Sequence, residues 1–544
     1  MNRAVPFHSI LFDRQESGMH EHQPEPECFH DLHLDQIVAS ITAGREAYSL
    51  DPFFRTPLQH LGSITYRHEV FRDLEDATLS SHIASFASRM RTVRERLAQS
   101  DKAHYALQKH RWFVDAAGLY CEAAAELLWK LSEARPRSRG LLEFAEHLGA
   151  YLGSRGFLSM RDEAGRLAAE LNAIEYDLLL EGTRIEVRPH EAAPDYGAEV
   201  SKTFAKFAQG AAREHQFRFH HYPEMNHVEA AILDRVALLF PRPFSDLGSF
   251  WARYHQGALV DALIQRFDRE VQFYCAYREH VARMRSAGCE FCYPEVTDRS
   301  KEVRAEAMVD LALAGTLVTA SRQGAGRSPL ITNDLYLEGS ERILVVTGAN
   351  QGGKTTFARA FGQLHYLAAL GCPVPARAAR LSLFDELLTH FEREESAESL
   401  VGKLEDELLR MRRILQMATP RSILIMNETF GSTPLEDARL LGKAVLREII
   451  AKGMLCVCVT FIEELASLDA ATVSMVAGVD PNDPAVRTFR IVREPANGLA
   501  YALAIARKYG LTDEEVRARI AGRSGRAGAV PVPRGSGAGR DSRP

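Results

Sequence analysis

One stretch, "RILVVTGANQGGKTTFARAFG" (residues 342–362), constrains the fold more than any other. Its apolar run passes directly into a glycine-bearing turn and then into a helical pattern. A strand whose C-terminal end meets a helix N-terminus belongs in an α/β domain with a largely parallel sheet. Gly348 is followed by four residues, then by Gly353, Lys354 and Thr355. That spacing predicts a phosphate cradle, because glycines let the backbone approach an anion and the free N–H groups of the helix start point at it. The expected contacts are Gly348, Ala349, Asn350, Gln351, Gly352, Gly353, Lys354, Thr355 and Thr356. Lys354 is expected to reach the β- and γ-phosphates, and the Thr355 hydroxyl to ligand Mg²⁺.

A second stretch, "SILIMNE" (422–428), predicts a buried strand that carries Asn427 and Glu428 to its C-terminal end. Ligands bind at that edge of open α/β sheets. Glu428 is placed to orient or deprotonate an attacking water. Asn427 stands where a nucleotide hydrolase usually has a metal-ordering carboxylate. Its amide supplies no negative charge, yet its oxygen still accepts a hydrogen bond from a Mg²⁺-bound water. Mg²⁺ keeps several waters in such sites, so an outer-shell amide is tolerable.

The 544-residue chain has room for three or four domains. Residues 1–30 read as an irregular lead-in. From 31 to 290 the pattern is mostly helical, with one stripe at Leu167, Leu171, Ile174 and Leu178 and another at Val260, Leu263, Ile264, Phe267, Val271, Tyr274 and Val281. "TRIEVRP" between them alternates as a short strand. Residues 291–515 alternate strand and helix, with further strands at "MLCVCVTF", "TVSMVAG" and "TFRIV". Residues 516–544, rich in Gly, Pro, Ser and Arg, predict a disordered tail.

A net charge of −6 excludes a globally basic nucleic-acid binder; DNA contact must come from local patches. Candidates are Arg89, Arg91, Arg94 and Arg96, and Arg135, Arg137 and Arg139. A solvated helix face or turn is the alternative for each. The long helix adds Arg266, Arg269, Arg278, Arg283 and Arg285 among acidic neighbours. The N-terminus lacks a signal-peptide core, and the longest apolar run, from Met454 to Val459 and just beyond, is too short to span a membrane. Eight cysteines without a framework favour a reducing cytoplasm. The pair Cys289 and Cys292 has redox or metal spacing but no second ligand pair follows, so structural cysteines are expected. His20, His22, Cys28, His30 and His33 are likewise read as a solvated lead-in rather than a metal site.

With these residues in view, the chain resembles the MutS family of DNA mismatch-repair ATPases. "ITNDLYL" (331–337) is similar to the family's segment ahead of the phosphate loop, and "TGANQGGKTT" to the loop itself. "LHYLAALGCPVPA" resembles the helix and turn that follow. "MATPRSILIMNETFGSTPLEDA" resembles the metal strand and its loop, with Asp437 matching a later Asp. "VTFIEELASL" is similar to the Thr-His-Tyr-x-Glu-Leu segment, and upstream "TPLQHLGSITYRHEVFRDL" to a motif of the helical core. The resemblance implies an α+β multidomain chain: a helical core and lever domain (31–290, reduced clamp), then a P-loop, ABC-type α/β ATPase domain (291–515). It also implies ATP and Mg²⁺ as cofactors, Glu428 and Lys354 as catalytic residues, and Thr355 and Asn427 at the metal. A homodimer, with each ATP site completed by the other subunit, and contact with duplex or branched DNA are further implications.

The departures from the family pattern carry their own expectations. About thirty residues precede the core, too few for the mismatch-reading domain with its aromatic wedge. No nuclease-like domain follows residue 515, so the subfamily bearing one is not expected. Phe461 stands where the family has a γ-phosphate-sensing His. The partner-subunit signature serine aligns on Gly402, with Ser399 three residues away. Slow hydrolysis is the expectation, since one lost transition-state contact lowers a rate about 10²–10³-fold. Three readings follow: a slow DNA-coupled ATPase in repair or recombination, an ATP-binding scaffold with little hydrolysis, or an ATPase acting on a protein partner.

Overall fold

A computed structural model describes residues 7–16, 24–190, 202–203, 225–257, 259–322, 329–392, 402–480, 486–496, 511–514 and 516–517. Most of the tail, together with His20, His22 and Ser399, lies outside these. The chain mixes helices and sheets as an α+β protein and divides into two units. Unit 1 holds residues 1–24, 40–281 and 370–372; unit 2 holds 25–39, 282–369 and 373–544.

Unit 1 is built on α1 (Leu61–Asp73), α2 (Ala77–Lys102), α3 (Ala106–Ala134), α4 (Arg139–Leu152), α5 (Arg155–Asn172), α6 (His227–Leu239), α7 (Pro241–Tyr254) and α8 (Ala262–Arg285). Capping fixes several starts. The Asp76 side chain accepts from Leu79 N–H, Ser154 accepts from Phe157 N–H, and Asn226 and Glu229 form a reciprocal capping box. The α8 stripe is buried at Ile264, Phe267, Val271, Tyr274 and Val281. The other predicted stripe is corrected. α5 stops at Asn172, and Leu178 belongs to strand β1 (Tyr176–Glu181), which pairs antiparallel with β2 (Arg184–Pro189). The Gly182 turn (φ +62°) lets the two runs pair, so a local hairpin wins over the helical period.

Part of the irregular lead-in is packed into unit 1. Ile10 and Leu11 are fully buried. Tyr66 Oη donates to Ser9 O (2.6 Å), Tyr274 Oη to Ile10 O (2.5 Å) and Arg67 Nε to Leu11 O (2.8 Å). Glu270 accepts from Ser9 Oγ (2.8 Å) and from Ile10 N–H (2.9 Å). The three-residue strap Ser9–Leu11 therefore has its backbone bonded by side chains, as burial requires. Two buried aliphatic side chains contribute roughly 1.5–3 kcal/mol each.

Unit 2 contains β3 (Glu295–Thr297), β4 (Val303–Met308), β5 (Asn333–Leu337), β6 (Ile343–Gly348), β7 (Ala378–Ser382), β8 (Leu387–Phe391), β9 (Ile423–Asn427), β10 (Leu455–Val459), β11 (Thr472–Val479) and β12 (Arg487–Val492). Its helices are α9 (Leu311–Arg322), α10 (Lys354–Ala369), α11 (Lys403–Met417) and α12 (Leu435–Lys452). The main sheet runs β12-β11-β6-β10-β9-β8, parallel throughout except for antiparallel β12. Strand alternation divides the core. Ile343, Val345, Leu424, Met426, Cys456 and Cys458 pack with Met411, Ile414, Leu446 and Ile449 of α11 and α12. A second sheet, β3-β7-β4-β5, was not foreseen from the sequence.

Candidate nucleotide site

β6 lies between β10 and β11, so its C-terminal end opens at the middle of the sheet. The turn that follows uses glycine where nothing else fits. Gly348 has φ +109° and Gly353 φ +89°. A Cβ on Gly348 would come within 3.1 Å of Ala477, and one on Gly352 within 2.9 Å of Ala349 O. α10 starts at Lys354, whose ammonium folds back into the turn. Its Nζ donates to Gly348 O (3.0 Å) and Ala349 O (3.2 Å) and lies 3.5 Å from Asn350 Oδ1. It also sits 4.8 Å over the Phe461 ring. Burial lowers the Lys354 pKa; the Glu428 charge opposes this and the Arg487 charge adds to it.

β9 delivers the second group. Thr355 Oγ1 donates to Asn427 Oδ1 at 2.9 Å. Glu428 follows with φ +53°, its N–H bonded to Val459 O (2.9 Å). A cavity of about 490 Å³ joins Glu428 and the loop from Gln351 to Thr356 to an apolar wall formed by Leu313, Leu317, Leu330, Ile331 and Phe489. One end is thus polar with oriented N–H groups, the other apolar. That layout suits a phosphate chain attached to a planar base.

Other sequence candidates fall elsewhere. Gly402 is the exposed residue before α11, with open space around it. Asp437 is exposed in the first turn of α12. Cys289 and Cys292 are raised to about 11 by burial. Among the described residues no group of three or more His, Cys, Asp or Glu is placed to hold a metal ion. The arginine patches are partly consumed by acids. Arg89 pairs with Glu126 (2.9 Å), Arg94 with Asp268, and Arg139 with Glu69 (3.1 Å), while Arg91, Arg135 and Arg137 stay exposed. No described helix is long and apolar enough to cross a membrane.

Several contributors escaped the sequence reading. His390 lies between Glu407 O (Nε2, 3.2 Å) and Thr429 Oγ1 (Nδ1, 3.3 Å), and burial pushes its pKa down to about 4. The neutral ring therefore braces the residue next to Glu428. Asn333 clips β12 with two bonds, Oδ1 accepting from Ile491 N–H (2.6 Å) and Nδ2 donating to Phe489 O (3.3 Å). Between them β12 is bulged: Ala477 faces Ile491 but Val479 faces Arg487. Bulges re-aim side chains beside sites. This one turns Phe489 (φ +57°) toward Gly353 and sets Arg487 Nε 3.1 Å from Asn350 O. Only the Asn-Asp pair of "ITNDLYL" signalled any of this.

The site thus lies in an α/β domain, and comparison with known families matches MutS domain V over residues 344–521. An endonuclease MutS2 from Gemmatimonas aurantiaca is 30% identical over 203 residues, 35% of this chain and 24% of that protein. The DNA mismatch repair protein MutS of Thermotoga neapolitana is 27% identical over 196 residues, 34% of this chain and 24% of its own. That of Granulibacter bethesdensis is 25% identical over 327 residues, 57% and 33% of the two chains. Residues 344–521 are thus a domain of the MutS family, and the relatives matched are MutS proteins. The matched stretch spans about a quarter to a third of these relatives.

Proposed function

We propose that this chain binds ATP and hydrolyses it slowly, and that nucleotide state controls its grip on duplex or branched DNA in repair or recombination. One observation carries the reading: Gln351–Thr356 and Glu428 line a single cavity, and Asn427 is bonded to Thr355 at its edge. Backbone N–H groups and Lys354 bind the phosphates, and Glu428 accepts the proton of the attacking water. Mg²⁺, a cofactor of MutS ATPases generally, prefers hard oxygen donors. The Thr355 hydroxyl and the Asn427 amide oxygen fit it in kind and would hold it, although both are neutral. Bound with the triphosphate, it supplies charge neutralisation at the β- and γ-oxygens. Domain bounds follow the sequence reading, with a helical core and lever over 31–290 and a P-loop, ABC-type ATPase domain over 291–515.

A homodimer is part of this reading. Leu408 and Leu409 on α11 and Leu435 and Leu440 on α12 are exposed by 37–66%. Exposed apolar side chains such as these are what a contact between two copies would bury. DNA contact is assigned to Arg91, Arg135 and Arg137, which touch backbone phosphates without reading bases.

The scaffold reading has its own support. Lys354 rests on Phe461, a ring that donates no hydrogen bond to a γ-phosphate. ATP turnover by the purified protein with and without duplex DNA, beside Glu428→Gln, decides between the two. Turnover that DNA stimulates and Glu428→Gln removes establishes the ATPase. ATP binding without turnover in the wild type establishes the scaffold. Retention on DNA that does not fall as salt rises would move the partner from DNA to protein.

A further inference from the structure

The geometry points to Arg487 as a second phosphate-binding cation of the nucleotide site, one that lets the chain bind nucleoside triphosphate with little help from a divalent metal. This rests on reading the Gly348–Thr356 turn as a nucleotide site.

Three observations lead there. First, the phosphate turn is flanked by two cations. Asn350 connects them: its carbonyl accepts from Arg487 Nε (3.1 Å), and its side-chain oxygen lies 3.5 Å from Lys354 Nζ. Second, Arg487 reaches the turn only because β12 is bulged. A regular ladder would not leave Ile491 opposite Ala477 and Arg487 opposite Val479. The same bulge brings Phe489 onto the cavity, while Arg487 meets the turn from outside it, at Asn350 O. Third, the groups facing a metal are neutral and already satisfy each other, since Thr355 Oγ1 donates to Asn427 Oδ1. Among the described residues that line the cavity, the one carboxylate is that of Glu428, which acts on Lys354.

The charge balance decides what such a site prefers. A carboxylate at position 427 would draw in a divalent cation and repel a bare triphosphate. An amide does neither. A guanidinium beside the phosphate turn offers planar, forked N–H donors that match phosphate oxygens. Lys354 and Arg487 together supply the two positive charges that a divalent ion would otherwise bring. The Phe461 ring holds Lys354 in the turn without competing for its charge as a carboxylate would. The metal is then left its role in the chemical step and contributes little to affinity.

The test is a titration of a fluorescent ATP analogue against the full chain, in Mg²⁺ and in EDTA. Wild type is expected to bind within about threefold in the two buffers. Arg487→Ala is expected to lose about tenfold or more in EDTA, the effect of one hydrogen bond to a charged group. Arg487→Gln keeps a donor for Asn350 O but no charge, and is expected to lose as much. Arg487→Lys is expected to recover most of the affinity. Thermal melting reports whether each variant is folded, and Arg487→Gln serves if Arg487→Ala is not. If Arg487→Gln binds as wild type does in EDTA, the residue is structural and the proposal falls. If wild type itself loses more than tenfold in EDTA, the metal carries the affinity and the proposal also falls. Lys354→Ala separates the two levels. Wild-type binding that survives this variant, or no binding at all, removes the nucleotide-site reading, whereas an Arg487 result alone removes only the inference.

Discussion

Thr355 and Asn427 are bonded to each other: the hydroxyl that opens α10 donates to the amide oxygen that ends β9, at 2.9 Å. In a site with a carboxylate at 427 the same oxygen would be charged. Asn427→Asp is therefore expected to raise ATP turnover by about tenfold, since a preorganised charge on the transferring group is among the larger rate terms. Steady-state hydrolysis at saturating Mg²⁺ checks this. An unchanged rate would show that the amide is not what limits turnover.

Glu428→Gln separates binding from chemistry. The residue lines the cavity with its backbone N–H fixed on Val459 O, so the substitution is isosteric and leaves the turn in place. Turnover should fall by about 10²-fold or more while ATP affinity changes little. Single-turnover hydrolysis beside equilibrium binding reads the two separately.

Phe461 holds Lys354 from the other side, at 4.8 Å. Phe461→His restores a hydrogen-bond donor at a half-exposed position where a ring already fits. A several-fold rise in turnover, of the order of one hydrogen bond of about 1 kcal/mol, is the expected outcome. Phe461→Ala tests the packing alone and should not raise it.

Glu270 gives the protein a pH response. It is buried under the Ser9–Leu11 strap, and desolvation lifts its pKa to about 7, against the bonds from Ile10 and Ser9 that lower it. With the folded value above the unfolded one, about 4.5, the folded state binds more protons between pH 4.5 and 7. Stability contributed by Glu270 is thus full at low pH and declines as pH rises through that window, by roughly 3 kcal/mol. Glu270→Gln should lose this slope. Melting temperatures at pH 5.5 and 8 should show the variant further below wild type at pH 5.5 than at pH 8.

Gly362 lies on the buried face of α10, and an added Cβ would fall 2.6 Å from Ile425 Cδ1 and 2.7 Å from Leu32 Cδ1. Alanine improves helix propensity by about 1 kcal/mol. Overpacking costs about 1–3 kcal/mol, so packing wins and Gly362→Ala should destabilise. A denaturant midpoint that rises instead would mean that both neighbours can move aside.

Five strands of the main sheet, and the turn that joins β6 to α10, were readable because each is a local pattern. An apolar run, a Gly–Lys–Thr spacing and a helical period all lie within about twenty consecutive residues. The ends of elements were less readable. The period that carried Leu167 onward to Leu178 could not show that Gly182 would turn the chain into a hairpin, because helix and hairpin are both compatible with those residues until their neighbours are known. The strap at Ser9–Leu11 was unreadable for another reason: its partners, Tyr66, Arg67, Glu270 and Tyr274, lie 56 to 264 positions away.

The candidate site divides the same way. Sequence by itself determined which residues form the glycine-bearing turn, since one contiguous segment must form it, and determined that position 427 would be an amide and position 461 a ring. Tertiary structure alone decided what those residues do to one another. It set Thr355 against Asn427, Lys354 over Phe461, neutral His390 behind Thr429, and a bulged β12 that brings Arg487 and Phe489 to the turn. Spacing along a chain fixes local geometry through the backbone. Pairing across a sheet depends on register, which no single strand contains.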